Sequence, residues 1–454
     1  MQYNIPEKTY IGLYFEDVID YIIAIISILK IRCVFVPIDK ELPTGRIDFM
    51  LKKCKIEYIV CDEFCIWNTD YKINNIIYTW KEKQNFKIEN QKNIYFEYNQ
   101  EDPIYVYWTS GSTGSPKGVI GKNESLVQFL DWEIEEFSLG DGDKYTQLTS
   151  PSFDPFLREI FVPILSGGII CLFEIKDSLK KILFLPKWLF LNEISVVHCV
   201  PSIFHVITSI MKTKKYKLDK LKYIFLAGEK PVIEDLKLWT KLSVNKETKL
   251  INFYGPTETT LVKMFHEISI EDIERKIIPI GKPIKDARIY LFDNLKNETN
   301  FGEIFIETRY CSLGYINELD NINKFTRNPY DNTKILYKTG DLGKKQDNED
   351  ILFCGRIDRQ IKIAGIGVNL DVMENIIINN VKEIKECCVV INKYEKKLIC
   401  YYESKNEIKK FQIDEILQEY FKKVTIPKVY VHVNKIERNY NGKIDREYYS
   451  NQHF

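Results

Sequence analysis

The sequence lacks an excess of charge of either sign: 64 basic residues face 64 acidic ones, and the formal net charge is zero. Dedicated nucleic-acid binders carry a basic surplus or stripe, so that class of role is excluded as the main one. Paired cysteines are lacking too. None of the eleven cysteines forms a CxxC pair or stands near histidines at zinc-finger spacing. Cys387 and Cys388 are adjacent, and neighbours of that kind rarely bond each other. Free thiols in a reducing compartment are expected. Long hydrophobic runs are also missing. The longest, residues 21–29, falls far short of the ~20 residues needed to cross a bilayer. No signal peptide, internal repeat or low-complexity linker is recognisable, and a cytoplasmic chain is expected.

What remains is an ordinary globular composition, 45% hydrophobic and 28% charged over 454 residues, able to bury a sizeable core. At ~100–200 residues per domain, this length predicts two to four structural units. The first part reads as α/β. Residues 17–29 form an amphipathic pattern, 33–37 a short strand, 46–53 a second helix and 57–61 a second buried strand. Further strands are predicted at 104–108, 168–173, 196–199, 224–227 and 250–253, with a helix at 126–137. Strand–helix alternation of this kind implies a largely parallel sheet with helices on its faces. From about residue 278 the texture turns to shorter β segments at 287–292, 302–307 and 351–354. After Asp358 a compact α+β unit is expected, with strands at 360–363, 386–392, 397–402 and 430–433 and a helix at 414–421. The predicted boundaries are therefore 1–357 for a large domain, β-rich over about 278–357, and 358–454 for a small one.

The sharpest local signal is Thr109-Ser110-Gly111-Ser112-Thr113-Gly114-Ser115-Pro116-Lys117-Gly118, directly after a predicted strand. Glycines let backbone N–H groups turn inward as an anion nest, hydroxyls add donors and Lys117 adds positive charge. Polyphosphate requires that combination. The stretch is not a Walker A loop, because Lys117 follows Pro116 and not a glycine. The alternative, a flexible surface turn, is the weaker reading given the preceding strand and the terminal Pro-Lys-Gly.

With further motifs in order, the chain resembles the adenylate-forming superfamily: acyl-CoA synthetases, luciferases and the adenylation domains of nonribosomal peptide synthetases. The resemblance rests on Phe35-Val36-Pro37-Ile38-Asp39, the loop at 109–118, Phe153-Asp154-Pro155, and Asn252-Phe253-Tyr254-Gly255-Pro256-Thr257-Glu258-Thr259-Thr260. It continues through Gly302-Glu303-Ile304, Leu313-Gly314-Tyr315, Tyr337-Lys338-Thr339-Gly340-Asp341-Leu342, Gly355-Arg356-Ile357-Asp358-Arg359-Gln360 and Asn441-Gly442-Lys443-Ile444-Asp445-Arg446. The peptide-synthetase branch fits best, on Tyr254–Thr260 and Asn441–Arg446.

The resemblance implies an α/β fold whose large domain carries mostly parallel sheets flanked by helices, followed by a small mobile α+β domain. It implies ATP and Mg²⁺ as cofactors. A carboxylic acid, an amino acid by this reading, would attack the α-phosphorus to give an acyl-adenylate and pyrophosphate. A phosphopantetheine thiol of a separate carrier protein would then take the acyl group. By the same resemblance Thr109, Ser110, Gly111, Ser112, Thr113, Gly114 and Lys117 hold the phosphates. Tyr254, beside Gly255, stacks on adenine, Thr257 lies near the α-phosphate, and Glu258 is the metal ligand. Asp341 accepts the ribose hydroxyls, Arg356 supports the nucleotide, Lys443 drives adenylation and Asp358 is the hinge.

The implied acid pocket comprises Asp154, Pro155, Arg158, His198, Phe225, Ala227, Phe253, Leu261 and Val262, with Lys443. In amino-acid-activating members an Asp at position 154 pairs with the α-ammonium. The Asp-Pro-x-x-Arg pattern resembles domains that accept 2-aminoadipate, implying a second substrate carboxylate or another polar terminus. Alternatively, Arg158 points outward and pairs with Glu159 or another surface acid. His198 either adds a donor or is a satisfied core histidine. Three departures stand out: an early motif that begins near residue 29, an unusual run Ala364-Gly365-Ile366-Gly367-Val368-Asn369-Leu370, and Phe353 where tyrosine is common. An acyl- or aryl-CoA ligase remains an alternative, and so does a nucleotide-binding module without turnover.

Overall fold

The computed structural model describes residues 5–452 apart from 41, 43, 63–70, 72, 74, 79–97, 111–115, 174–181, 215, 243, 244, 246, 294–296, 323, 364, 365, 396, 422, 440 and 441. The chain divides into two compact units. Unit 1 comprises Met1–Ile268, Ile280–Ile289 and Phe305–Lys338; unit 2 comprises Ser269–Pro279, Tyr290–Ile304 and Thr339–Phe454. The predicted boundary at Asp358 thus falls inside unit 2. The cause is local: the end of the strand before it is tied to the helix that follows. Asp371 accepts from the Arg356 N–H at 3.0 Å, and the Asn369 amide donates to the Arg356 carbonyl at 2.7 Å.

Unit 1 begins with a sheet of β1 (Tyr10–Tyr14), β2 (Val34–Pro37), β3 (Tyr58–Cys61), β4 (Asn75–Tyr78), β5 (Pro103–Ser110) and β6 (Pro116–Lys122), in the order β4-β3-β1-β2-β5-β6. All neighbours are parallel except the β5–β6 pair. Helix α1 (Val18–Lys30) crosses from β1 to β2. Asp17 caps it by accepting from the Ile19 N–H, satisfying one of the orphan donors at a helix start. Helix α2 (Thr44–Cys54) makes the next crossover, burying Ile47, Met50, Leu51 and Cys54 at helical spacing.

A second sheet follows from α3 (Asn123–Glu136). It contains β7 (Lys144–Gln147), β8 (Ile169–Leu172), β9 (Val196–Cys199), β10 (Tyr223–Ala227), β11 (Lys249–Tyr254), β12 (Met264–Glu267) and β13 (Lys282–Pro283), in the order β13-β12-β11-β10-β9-β7-β8. Its five strands from β7 to β11 run parallel, and β12 and β13 add an antiparallel edge. Helices α4 (Pro155–Ser166), α5 (Leu185–Leu191), α6 (Pro201–Met211) and α7 (Ile233–Leu242) supply its connections. The main core of unit 1 gathers Phe129, Trp132, Phe137, Phe156, Phe225 and Phe253 between these layers.

Unit 2 has its own core on Val368, Met373, Ile377, Cys387, Val389, Cys400, Tyr402, Ile413 and Leu417. Helix α8 (Leu370–Asn380) is capped by Asn369, whose side chain accepts from the Asp371 and Val372 N–H groups. It packs with a three-stranded sheet formed at Ile384–Ile391, Leu398–Ser404 and Val429–Val433 and with the helix Lys410–Tyr420. None of the ten described cysteines is in a disulfide. Among the described residues no helix is long and apolar enough to cross a membrane.

Candidate active site

The phosphate-loop signal resolves into a hairpin. Thr109 and Ser110 end β5, and Pro116 and Lys117 begin β6 in register opposite them. The loop expected over 109–118 is therefore shorter, because its two ends are strand. Gly111, Ser112, Thr113, Gly114 and Ser115 lie outside the described residues. The Thr109 hydroxyl donates to the Lys117 carbonyl at 3.4 Å, closing the base of the hairpin. Lys117 reaches Asp320 at 2.7 Å and lies 5.2 Å from the centre of the Tyr315 ring. Its charge is thus partly neutralised within the protein.

Tyr315 was not singled out from sequence for any role, yet it joins two predicted groups. Its backbone bridges Val119 on β6, and its hydroxyl donates to the Glu258 carboxylate at 2.5 Å. The Ser312 N–H also donates to the Glu258 carbonyl at 2.9 Å. Thr109, Lys117 and Glu258 are in this way brought to one part of unit 1.

Glu258 sits in a tight turn after β11. Tyr254 closes that strand, half-buried, and the short turn Thr257–Thr259 follows. The chain then doubles back through Thr260 and Leu261, both with positive φ, at 63° and 57°. Such conformations are strained for side chains with a Cβ and persist where the surroundings enforce them. Here they fold Leu261 and Val262 into the core beside Phe253. Gly255 is required at this crossing: an added Cβ would lie 2.0 Å from the Leu261 carbonyl oxygen.

The pocket residues assemble around the carboxyl ends of the parallel strands, where open α/β sheets bind ligands. His198 on β9 is in register with Phe225 on β10, and Ala227 with Phe253 on β11. Alternate residues of a strand share a face, so these four line one side of the sheet. Asp154 and Pro155 open α4 at intermediate exposure. Thr257 lies near the Asp154 carboxylate, which is pushed up to about 7 by burial with a further contribution from Glu258. Tyr105 and Tyr107, buried on β5, also bear on this acid.

Arg158 departs from the outward alternative and has a partner within the protein. It is 2% exposed, so it does not point outward. Glu159 is not its partner either. That side chain instead accepts from Gln147, from the N–H groups of Leu148 and Thr149, and from the Thr149 hydroxyl. The Arg158 guanidinium pairs with the buried carboxylate of Glu133 on α3. It also lies 4.5 Å from the ring centre of Phe253 and 5.1 Å from that of Phe225. His198 Nε2 contacts the same Glu133 oxygen at 3.2 Å, so it is a partnered histidine. Burial first, and then Arg158, push its imidazole down to about 4. Burial alone would raise Glu133, yet Arg158 and His198 hold it below the usual carboxylate range.

Glu133 was missed in the sequence although a signal existed. It occupies the stripe of Leu126, Phe129 and Leu130 on the buried face of α3. An acid on an apolar stripe needs a buried partner.

The remaining predicted residues belong to unit 2. Asp341 is 7% exposed and pairs with Arg356 at 2.9 Å. Gly340 is positioned by its N–H donating to Glu303 at 2.9 Å. Asp358 falls in the short turn Ile357–Arg359. Lys443 is exposed and has no ion pair among the described residues. Its backbone is fixed by a small hairpin, with its carbonyl accepting from the Asn439 N–H at 2.8 Å.

Among the described residues no group of three or more His, Cys, Asp or Glu converges as a metal site. Unit 1 instead offers Glu258, whose carboxylate accepts from the Tyr315 hydroxyl. One or two carboxylates fit Mg²⁺, which keeps several waters and takes its other ligands from phosphate.

The chain is 30% identical to gramicidin S synthase 2 of Aneurinibacillus migulanus over 448 residues, covering 96% of this chain and 10% of that protein. It therefore spans about a tenth of the length of that relative. It is 27% identical to zwittermicin A synthase ZmaJ of Bacillus cereus, covering 98% of this chain and 85% of that protein. Among solved structures, Klebsiella oxytoca NpsA in complex with 3-hydroxyanthranilyl-AMSN superposes with a TM-score of 0.84 at 17% identity, covering 97% of this chain and 88% of that one. The fold is that of adenylate-forming enzymes. Residues 2–316 match the family model described as AMP-binding enzyme, and the chain belongs to that family.

Proposed function

We propose that the chain uses ATP to convert an amino acid into its acyl-adenylate, releasing pyrophosphate, and then passes the acyl group to the phosphopantetheine thiol of a separate carrier protein. The observation that carries this reading is Asp154. It is an acid at the mouth of the strand ends, enclosed enough for burial to push it up to about 7, with no cationic side chain paired to it among the described residues. A substrate ammonium is the partner such a carboxylate lacks. The long sequence match to proteins named gramicidin S synthase 2 and zwittermicin A synthase ZmaJ supports the same class.

Adenylation brings two anions together, the substrate carboxylate and the α-phosphate, so catalysis rests on positioning and charge neutralisation. Asp154 would fix the amino end. Thr257, near it, would hold the turn that presents Glu258. Tyr315 orients the Glu258 carboxylate. The β5–β6 hairpin would receive the phosphates, with Lys117 exchanging Asp320 for phosphate oxygen. Mg²⁺, when bound, supplies neutralisation of phosphate charge, and Glu258 is the residue that would hold it. Asp341, Arg356 and Lys443 would take the ribose, its flank and the developing charge, as the resemblance implies.

The test is exchange of labelled pyrophosphate into ATP across a panel of amino acids and of aryl and fatty acids lacking an α-amine. Exchange restricted to acids with an α-amine is expected. Exchange with the amine-free acids alone sinks the reading. A second arm compares a phosphopantetheinylated carrier with coenzyme A as thiol acceptor, and transfer to the carrier is expected.

A further inference from the structure

Lys117 is held by a carboxylate of its own chain. Its ammonium lies 2.7 Å from Asp320 Oδ1, and the two side chains are 16% and 27% exposed. Both residues belong to unit 1. Asp320 closes the short turn Glu318–Asp320, and hydrogen bonds fix the segment before that turn against β6. The Leu313 N–H donates to the Ile120 carbonyl at 2.8 Å, the Ile120 N–H to the Gly314 carbonyl at 2.9 Å, and the Ile316 N–H to the Gly118 carbonyl at 2.8 Å. The Asn321 side chain accepts from the Tyr315 N–H at 2.8 Å. The second Asp320 oxygen accepts from the Asn317 amide at 3.1 Å. Asp320 is therefore placed by its surroundings, and little side-chain freedom is left to lose when it pairs with Lys117.

To an ammonium, a carboxylate oxygen and an outer phosphate oxygen are alike: each is an anionic acceptor in the same distance range. A phosphate oxygen that reaches Lys117 either displaces Asp320 or settles beside it. Displacement gives up an ion pair already formed. Sharing sets two anions on one nitrogen, where repulsion at short range offsets part of the attraction. Both routes have the same sign: polyphosphate binds less tightly than an unopposed Lys117 would allow. The other carboxylate of this region does not share the task, because Glu258 is held by the Tyr315 hydroxyl at 2.5 Å. The same Tyr315 turns its ring to Lys117, 5.2 Å from the ring centre.

We infer that Asp320 is an internal competitor of phosphate at Lys117, and that it lowers the affinity of the chain for ATP and for pyrophosphate alike. The inference rests on the adenylation reading above, through the outer phosphates at the β5–β6 hairpin. Adenylation releases pyrophosphate, which has the same claim on Lys117 as those phosphates, so the competing carboxylate eases product departure. Asp320 acts through Lys117 and is a positioning residue.

Calorimetric titration of the intact chain with Mg·ATP, pyrophosphate and AMP tests it. Asp320→Asn keeps the size of the side chain and removes its charge. Its Kd for ATP and for pyrophosphate is expected to fall at least about fivefold, the scale of one partly exposed ion pair. AMP lacks the outer phosphates, and its Kd is expected to stay within about twofold. Asp320→Glu, which keeps the charge, is expected to bind ATP as the wild type does. In a Lys117→Ala background, Asp320→Asn is expected to gain less than about twofold, because the two residues act as one pair. A purely structural Asp320 gives the opposite sign, weaker binding on replacement. Unchanged or weaker ATP binding in folded Asp320→Asn overturns the inference. So does equal tightening of AMP, which reports net charge alone, and so does a full gain without Lys117. Thermal unfolding establishes which variants fold, and Asp320→Ser carries the same test should Asp320→Asn not fold. A wild-type chain that binds neither ATP nor pyrophosphate also overturns the inference. ATP binding without exchange by any acid fails the adenylation reading, and the titrations then still decide this one.

Discussion

At the scale of single residues, Asp154 has the clearest consequence. Its carboxyl is raised to about 7, chiefly by burial, against an ordinary value of 3.8. Pairing with an α-ammonium requires the ionised form. In the free enzyme that form becomes dominant only as the pH passes about 7, so kcat/KM for the amino acid is expected to rise with pH through that region. The rise reports deprotonation of Asp154, because the α-amine of the substrate remains protonated there. Initial rates of pyrophosphate exchange between about pH 6 and 8.5 provide the profile. Asp154→Asn is expected to lower kcat/KM about a hundredfold, in line with a lost charge-assisted bond of about 3 kcal/mol, and to flatten the rise near pH 7. A profile for Asp154→Asn that keeps the wild-type inflection would assign the titration to another group. The residue scale also marks a limit of legibility. Asp154 is singled out in the sequence because Phe153-Asp154-Pro155 forms a local motif. The pairing of Arg158 is not, since Glu133 precedes it by 25 positions and only the packing of α3 against α4 brings the two together.

At the scale of elements, three of the six strands of the first sheet, four of the seven of the second and the helices α1, α2 and α3 were legible, because their apolar residues keep a clean period or form short buried runs. Helix α4 was not. It opens with Pro155, contains Pro163, and buries the charged pair Arg158 and Glu159, so its amphipathic pattern is broken by groups that are satisfied internally. Strand β6 was hidden for the opposite reason. Its Pro116, Lys117 and Gly118 read as loop, whereas Gly118 and Gly121 are required by packing. A Cβ at Gly118 would lie 2.6 Å from the Ile316 side chain, and one at Gly121 would lie 1.9 Å from the Tyr105 ring. Gly255 carries the same logic into the candidate site. Its neighbours there are backbone atoms, the Leu261 carbonyl oxygen and Val262 Cα at 2.8 Å, which have no rotamer to yield. Gly255→Ala is therefore expected to force the Thr257–Thr259 turn outward. Thermal unfolding should fall by several degrees, as overpacking costs about 1–3 kcal/mol, and exchange should drop at least tenfold through displaced Glu258. A variant with wild-type melting and wild-type exchange would show that the turn is softer than its geometry indicates.

For the whole molecule, the α/β class and the presence of a smaller α+β part were legible, while the division of the chain was not. Sequence texture changes near residue 278 and again after Asp358, but the compact units interleave: Ser269–Pro279 and Tyr290–Ile304 group with the C-terminal unit. Texture follows local pattern, and unit membership follows pairings between distant segments. The predicted functional residues divide along the same line. Asp154, Thr257, Glu258 and Lys117 belong to unit 1, and Asp341, Arg356 and Lys443 to unit 2. This division predicts separable defects. Lys443 is exposed and unpaired among the described residues, so its replacement removes no buried contact and should leave the fold intact. If its ammonium stabilises charge that develops only in adenylation, Lys443→Ala should lower amino-acid-dependent exchange by at least about a thousandfold, which corresponds to about 4 kcal/mol. Binding of ATP, measured by calorimetry, should stay within about threefold of wild type. Transfer of an acyl group from chemically prepared acyl-adenylate to the carrier thiol should also persist, because that step does not join the carboxylate to phosphorus. Equal loss in both half-reactions would mean that Lys443 supports the fold or the nucleotide and not the bond-forming step.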